Sequence, residues 1–456
     1  MDATLFSEAL FAVGRRFPRV SLALLRALPP AVLRTMQGVG FRRTLKTVQA
    51  SPYYRTALAG VDLRRARRPA DLGDFFLTPD VVKSRGRDLV CGRPELAIES
   101  SGTSGRVTTI YLSRRELEYN ARQGNLLYAL YGLDGRDRLL STLDLGFGLG
   151  SLLVERGVRY YPGMFAMVAG RVDPSEAYER LARYEFTVLV SDPFWLARLT
   201  EIARVHGRPA RLKLLIGGGE GITDRTRHEI ERFWEAPVCM TYASTEAATV
   251  LGFECPGRTG YHVNEFDFAV EVAGPDATGY GEVVITTVNR RVMPLLRYRT
   301  GDIARWEDGP CGCGLPFRRL SMIRGRTDEQ VSCAWGNVHP EFFAPLLGAV
   351  PGLGPDWQVA LHERGLSPVM QFRVELKEEA DASLREGAVQ AVLGVLQARY
   401  PEAWLAYCQR LIDLEFSFFA PGTLRRQRKL LRFVDERGEV APEWARQPVV
   451  RTPSRR

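Results

Sequence analysis

The spacing of apolar residues along the chain predicts helices first, and then an alternation of strands and helices. Residues 1–50 are expected to be helical, because apolar side chains recur there at three- and four-residue steps. From residue 139 to 245, short apolar runs alternate with helical segments, a rhythm typical of βαβ units in a mostly parallel sheet. The predicted strands are 139–143, 187–190, 212–216 and 238–242, and the predicted helices are 114–131, 174–184, 193–204 and 224–234.

Beyond residue 250 the pattern changes to alternating strands. Runs at 266–272 and 282–287 flank a glycine-rich turn, which favours antiparallel pairing. After residue 330, three strand-like runs and one helical segment predict a small α+β unit. We therefore expect an α/β protein with a large N-terminal domain, whose mostly parallel sheets are flanked by helices, a small antiparallel β subdomain, and a small α+β C-terminal domain.

Composition narrows the class of protein. The chain has 456 residues, of which 45% are hydrophobic and 25% charged, as in an ordinary soluble globular protein. Its net charge of +9 is spread over scattered arginines, which fits a polyphosphate substrate or a solvated face. No nucleic-acid motif with interleaved aromatic residues is present, so we expect no nucleic-acid partner. Seven cysteines without a secretory signal or a membrane-length apolar run predict a cytoplasmic protein with no disulfide framework and no membrane partner.

The segment 99–109 combines two glycines with six hydroxyl residues and is a candidate phosphate-binding loop. Glycine allows a close approach of backbone N–H groups to an anion, and hydroxyls donate further hydrogen bonds. Gly102 and Gly105 are too close for a G-x-x-x-x-G-K-[ST] loop, and a plain surface turn is the alternative. An apolar run precedes the loop, and Ser113 with Glu116 predicts a capped helix after it, so we expect a strand-to-helix connection.

Two further turns follow predicted strands, where parallel sheets bind ligands. They are 217–220 and 242–246, and two polar segments come later at 297–302 and 325–328.

Together, five segments resemble the motifs of the acyl-adenylating superfamily and, within it, of the phenylacetate–CoA ligases and their bacterial relatives. In the family's order, they resemble the phosphate loop (100–105), the adenine-edge turn (218–220), the Y-G-x-[ST]-E motif (242–246), the R-Y-R-T-[GR]-D motif (297–302) and the G-R-x-D hinge (325–328). The resemblance runs from about residue 51 to about residue 435.

This resemblance implies a ligase that uses ATP and Mg²⁺ to activate a carboxylic acid as acyl-AMP and passes the acyl group to coenzyme A. It also implies an N-terminal domain, 1–326, that binds ATP and the acid. The C-terminal domain, 327–456, would move about the hinge between an adenylation pose and an acyl-transfer pose.

The resemblance also assigns roles to single residues. Taken one at a time, Tyr242, Glu246 and Asp302 are more often a core tyrosine, an exposed glutamate and a turn aspartate, and only the set of motifs favours the functional roles. The implied residues are Ser100, Ser101, Gly102, Thr103, Ser104 and Gly105 for the phosphates, Gly218, Gly219 and Glu220 at the adenine edge, Tyr242 with Ala243 and Ser244 against adenine, Thr245 near the α-phosphate, Glu246 for Mg²⁺, Asp302 for the ribose hydroxyls, and Arg326 at the hinge.

Lys429 is the candidate for the family's mobile catalytic lysine. The segment 421–429 resembles P-G-T-L-P-R-x-x-x-K with one residue fewer. An ammonium there would neutralise the oxygen that bridges the acid and the α-phosphate. A solvated lysine in a basic run is the alternative.

Cys255, His262, Cys311 and Cys313 form a candidate zinc site. Three thiolates and one imidazole suit a tetrahedral structural Zn²⁺, and some members of this branch carry a similar cluster. The spacings are not those of a zinc finger, and buried free thiols are the alternative.

The sequence does not determine which group accepts the acyl chain or which acid is activated. Trp335 lies in the segment 332–338, which lines the pantetheine tunnel in the family, and an indole there would narrow it. The alternatives to CoA are therefore a carrier-protein pantetheine or an amine, and a third possibility is a nucleotide-binding homologue that has lost catalysis. Phe147, Phe194 and Trp195 favour an aromatic or other apolar acid, although aromatic residues are equally common in cores.

Overall fold

The computed structural model describes residues 3–100, 107–144, 149–327, 331–348, 350, 352–377, 382–424, 430–438 and 448–452. The described helices are α1 (Ala3–Arg16), α2 (Pro18–Arg26), α3 (Pro30–Thr47), α4 (Pro52–Ala57), α5 (Pro79–Arg85), α6 (Arg114–Arg122), α7 (Gly124–Leu130), α8 (Leu149–Val158), α9 (Pro174–Tyr184), α10 (Pro193–His206), α11 (Asp224–Trp234), α12 (Pro340–Gly348), α13 (Ala382–Arg399) and α14 (Pro401–Cys408). The described strands are β1 (Leu96–Glu99), β2 (Thr109–Leu112), β3 (Arg138–Ser141), β4 (Phe165–Val168), β5 (Val188–Ser191), β6 (Leu214–Gly217), β7 (Val238–Ser244), β8 (Thr249–Glu254), β9 (Tyr261–Val263), β10 (Phe268–Ala273), β11 (Gly281–Thr287), β12 (Tyr298–Ala304), β13 (Trp306–Glu307), β14 (Arg319–Leu320), β15 (Gly325–Arg326), β16 (Val331–Cys333), β17 (Gly336–Val338), β18 (Leu353–Arg364), β19 (Ser367–Leu376), β20 (Asp413–Phe419), β21 (Phe433–Asp435) and β22 (Val450–Arg451).

The largest sheet contains the predicted parallel core. Nine of the described strands form it, in the order β13-β14-β9-β8-β7-β6-β5-β3-β4. Strands β4, β3, β5, β6 and β7 pair in parallel, and β8, β9, β14 and β13 continue the sheet in antiparallel fashion. Every residue of β5 and β6 is buried, as expected for parallel strands that helices cover on both faces.

Two smaller sheets confirm the rest of the predicted architecture. Strands β10, β11, β12 and β15 form the antiparallel subdomain. In the C-terminal part, β21, β18, β19, β20 and β22 form a mixed sheet that is accompanied by α12, α13 and α14. The protein is therefore an α/β protein with a separate sheet-rich C-terminal region. We call residues 3–327 the large lobe and residues from 331 onward the small lobe.

The connection around the hydroxyl-rich loop differs from the prediction. Strand β2 pairs antiparallel with β1 and precedes α6, so the loop joins two strands of a hairpin, and the predicted strand-to-helix connection is wrong. The alternation of Ile110 and Leu112, which are buried, with Thr109 and Tyr111 is a strand pattern that explains the difference. The predicted helix cap is confirmed, since the Ser113 Oγ accepts a hydrogen bond of 3.2 Å from the Glu116 backbone N–H.

The two lobes contact each other through polar side chains. Thr223 and Thr226 of the large lobe donate hydrogen bonds of 2.9 and 3.0 Å to a Glu363 carboxylate oxygen of the small lobe. Ser367 donates to Glu201 at 2.8 Å across the same boundary. Across the described ranges, no helix is both long enough and apolar enough to cross a membrane.

Candidate active site

A cavity of about 1480 Å³ opens at the carboxyl ends of the parallel strands. The turns predicted from sequence converge on it, because Ser100, Gly218, Tyr242, Thr245 and Asp302 all line its wall. Among the other predicted residues, Gly219, Glu220, Ala243, Ser244, Glu246 and Arg326 line it as well. Ser101, Gly102, Thr103, Ser104, Gly105 and Lys429 lie outside the described residues.

Asp302 lies at the centre of a hydrogen-bonded group of three side chains. The Tyr242 hydroxyl donates to one Asp302 carboxylate oxygen at 2.5 Å, and the Arg326 guanidinium donates to the other at 2.6 Å. Burial, together with the Asp302 charge, raises the pKa of Tyr242 well above its ordinary value. A carboxylate has about four acceptor positions, and these two hydrogen bonds use one on each Asp302 oxygen.

The turn after β6 needs its glycines. A Cβ atom on Gly218 would lie 2.5 Å from the Thr241 Oγ1, and Gly219 has φ of +87°, a conformation that L side chains rarely adopt. A flat group can therefore approach the backbone here. Glu220 follows, and burial, with the Asp192 charge as a second cause, raises its pKa well above the ordinary value. Its carboxylate accepts a hydrogen bond from Ser332 of the small lobe.

The turn after β7 carries Thr245 and Glu246. The buried Arg290 guanidinium donates to the Glu246 backbone carbonyl at 2.7 Å and also to the Ala247 carbonyl. Asn120 donates to the Ala248 carbonyl at 2.8 Å. These bonds satisfy the turn's carbonyls and fix the direction in which Thr245 and Glu246 face the cavity.

Arg290 was missed by the sequence reasoning. It follows β11 in a pair of arginines, and nothing in the sequence separates it from a solvated arginine. Asp435 and Arg437 were also missed, because nothing in the sequence separates them from solvated charged residues. They line the cavity from the small lobe and form an ion pair of 2.6 Å.

The hairpin of β16 and β17 faces the cavity. Ser332, Gly336 and Asn337 line it, whereas Trp335 is buried against the rings of Phe342 and Phe343, with centroids 5.7 and 6.4 Å away. The indole therefore belongs to the core of the small lobe and does not narrow the cavity. Phe194 and Trp195 are also buried and are not among the cavity's lining residues, and Phe147 lies outside the described residues.

Cys255, His262, Cys311 and Cys313 come together as predicted, with ligand atoms within 4.8 Å of one another. The sulfurs of Cys255 and Cys311 are 3.5 Å apart, and the Cys313 sulfur is 3.3 Å from His262 Nε2. Tetrahedral zinc with bonds of about 2.0–2.3 Å spaces its ligand atoms by roughly 3.3–3.8 Å. Hydrogen bonding from Cys313 lowers the pKa of Cys255, which favours a thiolate.

His262 is oriented for the same cluster. Its Nδ1 lies 3.3 Å from the Phe317 carbonyl oxygen, so a proton on Nδ1 leaves Nε2 free to act as a ligand. The four side chains therefore fit a structural zinc ion in both donor chemistry and arrangement.

No protein-family model matches the chain. A phenylacetate-coenzyme A ligase of Thermus thermophilus is 28% identical over 379 residues, which cover 78% of this chain and 84% of the relative. The ligase of the same name from Escherichia coli (strain K12) is 26% identical over 368 residues, which cover 76% and 83%.

Solved structures show the same architecture. A 2-hydroxyisobutyryl-CoA ligase, in complex with 2-HIB-AMP and CoA in the thioesterification state, superposes with a TM-score of 0.74 at 19% identity, and the match covers 90% of this chain and 91% of that chain. The chain therefore shares the fold of this CoA ligase. In sequence, it is a homologue of enzymes named phenylacetate-coenzyme A ligase, which confirms the resemblance seen in the five sequence motifs.

Proposed function

We propose that the protein is an AMP-forming acid–thiol ligase, which activates a carboxylic acid with ATP as acyl-AMP and transfers the acyl group to coenzyme A. The observation that carries the proposal is the convergence of Ser100, Tyr242, Thr245 and Asp302 on one cavity. The ligases to which the chain is similar act on phenylacetate, which favours an aromatic acid here.

Each nucleotide-binding residue has a role that its position supports. Asp302 accepts hydrogen bonds from the ribose hydroxyls, and the Tyr242 ring lies against adenine beside the turn 218–220. Thr245 and the hydroxyl-rich loop donate to the phosphates. Glu246 holds Mg²⁺, an ion that prefers one or two carboxylates together with phosphate oxygens. The bound ion neutralises charge as pyrophosphate leaves.

The small lobe completes the reaction. We place the domain boundary between residues 326 and 327, directly after β15, and Lys429 serves as the catalytic cation of adenylation. The hairpin 331–338 faces the cavity, an arrangement that the resemblance implies for the acyl-transfer pose.

Coenzyme A is preferred over a carrier-protein pantetheine or an amine, since the burial of Trp335 removes the feature that had favoured these acceptors. The test is to incubate the protein with ATP, Mg²⁺ and a panel of acids, with and without CoA. We expect acid-dependent pyrophosphate exchange and, with CoA, acyl-CoA. AMP release without any acyl-CoA would refute CoA as acceptor, and the absence of exchange with every acid would favour a homologue without catalysis.

The cysteine cluster holds a structural zinc ion in this proposal, because all four ligand positions are filled by side chains. The cytoplasmic location stays a prediction.

A further inference from the structure

We propose that the acid carries an extended apolar group, larger than one phenyl ring, and that this group lies in an apolar arm of the cavity. The apolar arm is the part of the wall formed by α2, α7, α8 and the loop 315–317. The inference rests on the proposed function and names the class of acid more closely.

The four elements meet to form this wall. Helix α7 contacts both α2 and α8. Leu22 and Leu25 of α2, Leu130 of α7, and Leu315 and Phe317 of the loop belong to one buried apolar cluster and also line the cavity. Of the described cavity-lining residues that these four elements supply, none is charged. The arm is therefore unsuited to phosphates or to a second carboxylate.

Several apolar side chains of this wall remain incompletely covered. Leu126 and Leu127 of α7 and Val154 of α8 are only half-buried, although they pack against the same cluster and line the cavity. Leu143, two residues after the end of β3, has the same environment. An apolar ligand would remove this surface from water, and that burial drives binding.

The cavity of about 1480 Å³ has room for ATP and an acid together, since single-ligand pockets are usually about 300–1,000 Å³. The run of apolar residues along the arm, and not the total volume, is what favours an extended group.

The loop that closes the arm is fixed by the cysteine cluster. Leu315 and Phe317 follow Cys313 by two and four positions, and the Phe317 carbonyl is 3.3 Å from His262 Nδ1. The Phe317 ring packs edge-on against Phe266, with centroids 5.2 Å apart. The cysteine cluster therefore fixes the backbone of this part of the wall, and packing against Phe266 fixes the Phe317 side chain.

The test compares acids of increasing apolar length in a pyrophosphate-release assay. Hexanoate, dodecanoate, phenylacetate and 4-biphenylacetate are assayed with wild type, with Val154→Trp, which fills the arm, and with Val205→Trp as the matched control on an exposed position of α10. For wild type we expect kcat/KM for dodecanoate or biphenylacetate to exceed that for phenylacetate by at least about tenfold, because each buried methylene strengthens binding. The two long acids distinguish an alkyl from an aryl occupant.

In Val154→Trp, we expect the long acids to lose at least about tenfold in kcat/KM while hexanoate changes little, and Val205→Trp should behave as wild type. A preference of wild type for phenylacetate, or an equal loss for all acids in a folded Val154→Trp protein, would overturn the inference. Leu127→Phe serves as the second filling variant if Val154→Trp unfolds.

A binding measurement separates this inference from the proposed function. Fluorescent cis-parinarate should bind to wild type and to Val205→Trp and should be displaced by dodecanoate, with affinity lost in Val154→Trp. Binding without pyrophosphate release from any acid would refute the proposed ligase activity and support the arm. Pyrophosphate release without parinarate binding would support the proposed ligase activity and refute the apolar arm as the binding site.

Discussion

At the scale of single residues, the site depends on charged groups that the fold holds in pairs. Asp302 is 8% exposed and is held by a hydroxyl from β7 and a guanidinium from β15. The motif predicted the position of Asp302 in the chain. The sequence did not reveal that Tyr242 and Arg326 share this carboxylate, because such pairing depends on the register between strands that are distant in sequence.

We expect Asp302→Ala to weaken ATP binding by about tenfold to a hundredfold, since hydrogen bonds to a charged group contribute about 1.5–3 kcal/mol each. Calorimetric titration with ATP measures the change. Tyr242→Phe is the matched control, because it removes one bond to Asp302 and keeps the ring, and it should cost about threefold to tenfold. Unchanged affinity in Asp302→Ala would refute the ribose assignment.

Lys429→Ala should lower the rate of acyl-AMP formation by about 10²- to 10³-fold, as expected when one group that stabilises charge in the transition state is removed. Use of supplied acyl-AMP with CoA should be retained. Lys377→Ala, an exposed lysine elsewhere in the small lobe, is the control. Full activity of Lys429→Ala in both half-reactions would show that another residue is the catalytic cation.

At the scale of elements, strands and helices with a clear period were predictable, and their connections were less so. Helices α9 and α11 begin and end as predicted, because Asp173 and Thr223 cap them and an apolar period runs through each. The predicted helix 114–131 instead divides into α6 and α7, where Gly124 lowers the helical propensity. Strand β2 was missed because it has only four residues, which are too few to show a clear alternation of apolar and polar side chains.

The cysteine cluster joins β9 to the loop before β14, so removing its metal should loosen this part of the large lobe. We expect about one zinc ion per chain by atomic emission, and a lower metal content and unfolding temperature in Cys311→Ser. Cys408→Ser, which replaces an exposed cysteine of α14, should leave both unchanged. A wild-type protein without bound zinc after purification in zinc-supplemented buffer would contradict the assignment.

At the scale of the whole molecule, the two lobes contact each other through groups that no local pattern indicates. Glu220 is predicted from sequence only as part of the adenine-edge turn, and Glu363 carries no prediction, yet each accepts a hydrogen bond from the other lobe. Contacts of this kind depend on the placement of whole lobes, and sequence periodicity carries no information on that placement. The convergence of the turns that carry Gly218 and Thr245 was predictable, since both follow parallel strands at one edge of the largest sheet. Ser100 follows β1 and Asp302 lies in β12, which belong to two other sheets, so their approach to this edge was not predictable from strand order.

The burial of Glu220 predicts a pH dependence of stability. Burial, and then the Asp192 charge, raise the pKa of Glu220 in the folded protein. A carboxyl whose pKa is raised on folding stabilises the folded protein fully below its free pKa of about 4.3, and the contribution is lost as pH rises through the raised pKa. The free energy of unfolding in urea should therefore decrease through a transition as pH increases.

Asp192→Asn removes one cause of the shift and should move this transition to lower pH. Glu176→Gln, an exposed acid on α9, is the control and should leave the transition in place. A free energy of unfolding without such a transition, or the same midpoint in Asp192→Asn, would contradict the raised pKa of Glu220.

The burial of Trp335 affects how the acyl-accepting thiol can enter the cavity. Its ring ties the tip of the hairpin 331–338 to the aromatic core beneath it, through Phe342 and Phe343. The hairpin cannot bend by itself without exposing an indole to water. Under the proposed function, we therefore expect that a thiol enters only when the whole small lobe rotates, because movement of the hairpin alone would not be sufficient.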